Sequence, residues 1–67
     1  MIEIRLNGEP VRLENGTDLR ALVRERIERV EGVAVARNEE VVPRSEWAGT
    51  AVWDGDRIEI LVAAQGG

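Results

Sequence analysis

The side chains that usually carry covalent or acid–base chemistry are nearly absent. The 67 residues contain no Cys and no His, and all nine basic residues are arginines. Without Lys there is no P-loop lysine, no Schiff-base amine and no side-chain amine to accept an isopeptide bond. The usual nucleophiles and general bases shrink to Ser45, Thr17, Thr50 and the carboxylates, so no catalytic residue is assigned. Enzymatic activity of the chain's own is not expected.

One group stands apart from these. The chain ends Ala63-Ala64-Gln65-Gly66-Gly67, without a charge or a large side chain. Nothing in that pattern docks it on a domain, and residues 63–67 read as a flexible tail in solvent. Two terminal glycines suit a tail that threads a narrow channel in another protein, since without Cβ the backbone can approach the walls closely. By chance, two glycines at a chosen place arise about once in 200 sequences. The reactive group is then the main-chain carboxylate of Gly67. A carboxylate is inert at neutral pH and must first be activated, for example as an acyl-adenylate made from ATP, before sulfur or an amine can replace the leaving group. The glycines that remain are isolated turn residues rather than a phosphate-binding loop, so activation falls to a separate nucleotide-binding enzyme. No cofactor is expected on this chain, ATP being used by that partner.

The other candidate constellations have plainer readings. Asp54 and Asp56 around Gly55 fall short of a calcium loop's ligand set and read as a polar turn; no metal is assigned. Glu39-Glu40 lies in a turn with no desolvation to separate two carboxylate pKa values. Trp47 and Trp53 are the only aromatics and read as core or edge-covering groups rather than a stacking platform.

A chain this short builds one domain with one modest core, and without Cys or His neither disulfides nor a usual zinc site can reinforce it. No stretch approaches the length of a membrane span, and Met1-Ile2-Glu3-Ile4-Arg5 lacks the layout of a secretory signal. A soluble cytoplasmic protein is expected. A net charge of −4 opposes nucleic-acid binding.

The elements that position the tail follow from hydrophobic period. Ile2, Ile4 and Leu6 alternate with charged residues, Asn7-Gly8 suits a tight hairpin, and Val11 and Leu13 resume the alternation. Pro10 points to an edge strand or to a position facing away from its neighbour. After Asn15-Gly16, Thr17 or Asp18 can cap a helix on which Leu19, Leu22, Val23, Ile27 and Val30 share one face, with Gly32 as its stop. Glu25 and Arg29 form an i,i+4 pair on the charged face, which reads as solvated. Val33–Ala36 predicts a third strand, Val41-Val42 a short fourth, and Pro43–Trp47 one helical turn. Arg57–Val62 predicts the last strand, with Ile58, Ile60 and Val62 inward and Leu61 outward, where it is either a candidate docking contact for the partner that the resemblance below implies or a residue covered within the domain. Five short strands and one helix in this order give an α+β fold, a ubiquitin-like β-grasp roll over residues 1–62. A mixed sheet carries the helix on one face, and the last strand lies centrally, parallel to the first.

Asn38-Glu39-Glu40-Val41-Val42-Pro43-Arg44-Ser45-Glu46-Trp47, the turn Asp54-Gly55-Asp56 and the ending Gly66-Gly67 resemble the sulfur-carrier proteins of thiamine biosynthesis, the ThiS family. The resemblance spans essentially the whole chain, and the Val-Pro-Arg segment before Trp47 is its most specific part. Arg37 departs from it, standing where the family carries an apolar residue; a position near a sheet edge is expected. The resemblance implies a cycle. A ubiquitin-activating-type adenylyltransferase forms the acyl-adenylate at Gly67, a persulfide-bearing donor protein displaces AMP, and the thiocarboxylate gives its sulfur to thiazole synthase. Gln65 and Gly66, with Ala63 and Ala64 behind them, would lie in the partner's channel. The alternatives are a carrier for molybdopterin, a protein modifier, or a ubiquitin-like binding module that never reacts at its end.

Overall fold

In the computed structural model, residues 1–63 are described. Alternation builds the first hairpin. β1 (Ile2–Leu6) buries Ile2, Ile4 and Leu6, and pairs antiparallel with β2 (Glu9–Leu13). Asn7 and Gly8 join them at φ 51° and 86°, the positive values a two-residue hairpin loop needs. β2 is an edge strand, which accommodates Pro10.

The helix α1 (Leu19–Arg26) starts where Asp18 Oδ1 accepts from the Ala21 N–H at 2.8 Å. Of the two candidate caps, Asp18 is the one that serves. Thr17 instead donates its hydroxyl to the Glu14 carbonyl. The helix ends earlier than the periodicity predicts, with Ile27 already extended at φ −134°. Arg24 and Arg26 suit the negative end of the helix dipole, whereas Glu28 and Glu31 would oppose it. Ile27 and Val30 still pack, half-buried, against the core from the irregular segment that follows. The predicted Glu25–Arg29 pair is lost with that last turn, and Arg29 meets Glu31 at 3.9 Å.

β3 (Val33–Arg37) and β4 (Glu40–Val42) form a second hairpin, its loop residues Asn38 and Glu39 at φ 50° and 74°. A 3₁₀ helix over Arg44–Gly49 buries Trp47, whose Nε1 donates to the Val42 carbonyl at 2.8 Å. The chain then passes the start of α1, where Leu19 N–H donates to Thr50 and Val52 N–H to Thr17. Val52 is thereby buried in the core, a place that no alternation in the sequence marks.

β5 (Arg57–Val62) takes the centre of a five-stranded mixed sheet of order β2-β1-β5-β3-β4, parallel to β1 and antiparallel to β3. This is the predicted roll: Ile4, Leu6, Val35, Ile58 and Ile60 on one face of the sheet meet Leu19, Leu22 and Val23 of α1. Full burial of each such side chain is worth about 1.5–3 kcal/mol.

Two expectations fail on burial. Val62 shares the parity of Ile58 and Ile60 but is 60% exposed, because it lies past the end of β1 and beyond the core cluster. Trp53, read as core or edge-covering, is 63% exposed and so lies outside the core, with its N–H donating to Asp56 Oδ2. Arg37 is the last residue of β3, the strand next to the β4 edge, near the sheet edge as expected. Its strand is paired on both sides, opposite Glu40 and Ile58, and its guanidinium turns to Asp56.

Candidate functional site

The last strand delivers the chain end from the middle of the sheet, so what anchors β5 fixes the origin of the tail. Hydrogen bonding to β3 continues one residue past Val62, with the Ala63 N–H donating to the Gly32 carbonyl at 2.7 Å. The domain's grip therefore extends through the Ala63 amide. Ala64, Gln65, Gly66 and Gly67 lie outside the described residues.

On its other side β5 is held by β1 and by a side chain. Arg5 and Asn7 donate their amides to Asp56 and Ile58, both at 2.9 Å. The Asn7 carboxamide then takes both main-chain groups of Ile60. In the sequence Asn7 reads only as a turn former; nothing local indicates that its side chain completes a strand.

The outer face of the sheet carries Leu61, 65% exposed and directly opposite Ala34. Ala36, two residues along β3, stands opposite Val41 of β4, itself 74% exposed. Leu61, Ala34, Ala36 and Val41 thus form an apolar strip beside the root of the tail. The outward position predicted for Leu61 is the one observed, with no element among the described residues covering it. Val41 is a member of the strip that sequence reasoning assigns only to a short strand.

The acidic turn spends its carboxylates inside the fold. Asp54 Oδ1 accepts from the Glu3 N–H at 2.8 Å. Asp56, 7% exposed, accepts from Arg37 Nε at 2.9 Å, Asn38 Nδ2 at 3.1 Å and the Trp53 N–H at 2.8 Å. Burial pushes the Asp56 carboxyl up. The hydrogen bonds from Trp53, Asn38 and Arg37, with the charge of Arg37, outweigh that and hold it below the usual carboxylate range. Both aspartates are thus turn-building groups, and among the described residues no cluster of three acidic side chains approaches a cation-binding arrangement.

Ser45 lines the rim of an open cleft of about 840 Å³ between α1 and the 3₁₀ helix, shared with Arg20, Arg24, Glu28 and Arg44. Thr50 donates its hydroxyl to the Glu46 carbonyl. With Thr17 bonded to Glu14, two of the three hydroxyls read as possible nucleophiles are engaged as turn bonds. Among the described residues, no helix is long and apolar enough to cross a membrane.

A sequence model of the ThiS family matches residues 4–67. The sulfur carrier protein ThiS of Escherichia coli (strain K12) is 32% identical over 66 residues, covering 98% of this chain and 100% of that protein. A thiazole synthase of Paramagnetospirillum magneticum (strain ATCC 700264 / AMB-1) is 38% identical over 66 residues, which make up 20% of its length. Among solved structures, the crystal structure of the thiamine biosynthesis protein ThiS from Geobacter metallireducens superposes with a TM-score of 0.84 at 29% identity. It covers 98% of this chain and 100% of its own. The NMR solution structure of a thiamine biosynthesis protein from the same organism gives 0.80 at 29% identity, over 98% of this chain and 88% of that one.

Proposed function

The chain belongs to the ThiS family, the sulfur carriers of thiamine biosynthesis, and we propose that the group it loads is the main-chain carboxylate of Gly67. The observation that carries this reading is that the family match runs unbroken to residue 67, so the terminal Gly66-Gly67 belongs to the resemblance. Two features support it. The carboxylates of Asp54 and Asp56 are spent on the domain's own turns, and β5 brings the tail out from the centre of the sheet. An extended chain from Val62 to Gly67 reaches about 17 Å, enough to enter a partner's active site while the domain stays outside.

In this cycle an adenylyltransferase joins the Gly67 carboxylate to the α-phosphate of ATP with loss of pyrophosphate. The sulfur of a donor's persulfide displaces AMP, and a thiol cleaves the resulting acyl disulfide to leave a thiocarboxylate. That sulfur passes to thiazole synthase. A thiazole synthase with a stretch resembling this chain accords with such a pairing. The protein is a co-substrate, regenerated as its carboxylate when the sulfur has gone.

The test is incubation of the full chain with an adenylating enzyme, ATP and a sulfur donor. The expected product has gained the mass of one sulfur in place of one oxygen at Gly67. Its absence, where adenylation of Gly67 is verified, overturns the carrier assignment.

A further inference from the structure

Among the described residues, the sheet leaves one of its lanes empty at the point where the tail begins. Along β5, bonding to β3 uses the main-chain groups of alternate residues, marked at its two ends by Asn38 to Arg57 and Ala63 to Gly32, both 2.7 Å. Arg57, Glu59, Leu61 and Ala63 therefore face β3, and Ile58, Ile60 and Val62 face the β1 side. The Ile58 carbonyl accepts from Asn7 N–H, and both groups of Ile60 are taken by the Asn7 carboxamide. β1 has ended at Leu6, and the chain turns away at Asn7-Gly8. The N–H and C=O of Val62 find no partner among the described residues, on a residue 60% exposed.

We propose that this is a strand-addition site. An extended segment of the enzyme that activates Gly67 lies beside Val62 in the lane that β1 vacates, accepting from the Val62 N–H and donating to its carbonyl. The occupant rests on the function proposed above, and its class follows from reach. An enzyme that works on the carboxylate five residues beyond Val62 must hold the intervening chain extended, and the first open backbone pair on that chain is at Val62. Asn7 sets the register. By closing the lane at Ile60 it leaves one starting position, so an added strand cannot slip back along β5 and the depth of the tail is fixed. Main-chain pairing also places few demands on side-chain identity.

The substitution that isolates the site is Val62→Pro. It removes the N–H that faces the empty lane while leaving the β3-facing amides of Leu61 and Ala63 in place. Val62→Ala keeps the N–H and trims the side chain. We expect the Val62 amide of the wild-type chain to exchange at least about tenfold more slowly in complex with the adenylating enzyme than alone. Val62→Pro should weaken that complex about tenfold and Val62→Ala less than about threefold. An unchanged Val62 exchange rate in the complex overturns the proposal, whether or not Val62→Pro folds. So does a loss with Val62→Ala equal to that with Val62→Pro, and so does protection of Val62 in the enzyme-free chain through self-pairing. Wild-type chain that is loaded at Gly67 with Val62 unprotected refutes only strand addition. Wild-type chain that is adenylated but never loaded with sulfur refutes the carrier function instead.

Discussion

The side-chain amide of Asn7 stands in for a strand residue opposite Ile60, accepting from its N–H at 2.8 Å and donating to its carbonyl at 3.2 Å, across 53 positions of sequence. The residue that turns the first hairpin thus also clamps the last strand. Its backbone sits at φ 51°, where Asn and Gly are tolerated and a residue such as Ala is strained. Asn7→Gly should therefore cost about 2 kcal/mol from the two hydrogen bonds alone, and Asn7→Ala about 1 kcal/mol more. Urea unfolding of the two variants measures both contributions. Equal stability of Asn7→Gly and wild type would show that the clamp contributes nothing.

Asp56 ties the β3–β4 loop to the turn before β5 through three donors. Its pKa in the fold is depressed, so its contribution is fully present above the unfolded value near 3.9. That contribution is lost as the pH falls through the lower folded value. Asp56→Asn presents an NH₂ to a donor and should cost about 2 kcal/mol at pH 7. The deficit should shrink as unfolding is followed below about pH 4. A deficit independent of pH would place the loss in geometry rather than charge.

The two tryptophans should separate cleanly. Trp47 is 2% exposed and bonded to Val42, so Trp47→Phe should cost about 1–2 kcal/mol and Trp47→Ala about 3–5 kcal/mol. Trp53→Ala should stay within about 0.5 kcal/mol. Acrylamide quenching of each single-tryptophan variant checks the exposures directly: only the fluorescence of Trp53 should be quenched readily.

Leu61 and Val41 are exposed on one apolar strip, and their truncation should be nearly silent in the isolated domain. If the strip docks a partner, Leu61→Ala should leave the melting temperature within a few degrees and weaken complex formation about tenfold. Calorimetric titration with the adenylating enzyme and with thiazole synthase tells which of them uses the strip. Unaltered affinity for both would remove Leu61 from the docking surface.

Deleting Gly66-Gly67 should abolish loading and leave thermal stability nearly unchanged, since the deletion spares the Ala63 N–H bond to Gly32, where main-chain bonding to the domain ends among the described residues. A large drop in melting temperature would instead make the tail part of the fold.

Much of this architecture is legible in the residues. The alternation of Ile2, Ile4 and Leu6, the Asn7-Gly8 turn, and Ile58 with Ile60 give the first and last strands on the correct faces. What is not legible depends on partners distant in sequence. Helical spacing carries Ile27 and Val30 into α1, because period alone cannot see that Glu28 and Glu31 sit badly at the helix's C-terminal end. Parity assigns Val62 inward but cannot show that the core ends before it. Hydrophobicity leaves Trp53 as core or edge-covering, and only the turn in which Asp56 accepts from its N–H puts it outside the core. Arg37 looks anomalous until Asp56 is seen beside it. The second clamp formed by Asn7 has no local sign at all.

The parallel pairing of β1 with β5 also sets where the carrier can be handled. With Leu6 level with Ile58, the start of β1 and the end of β5 are about eight residues apart along the sheet, roughly 25 Å. A tag, dye or surface tether attached ahead of Ile2 therefore leaves the exit of the tail unobstructed, and immobilised carrier should still be loaded and unloaded. Under the function proposed above, an addition after Gly67 would cap the carboxylate that takes the sulfur, and loading of such a chain should fail.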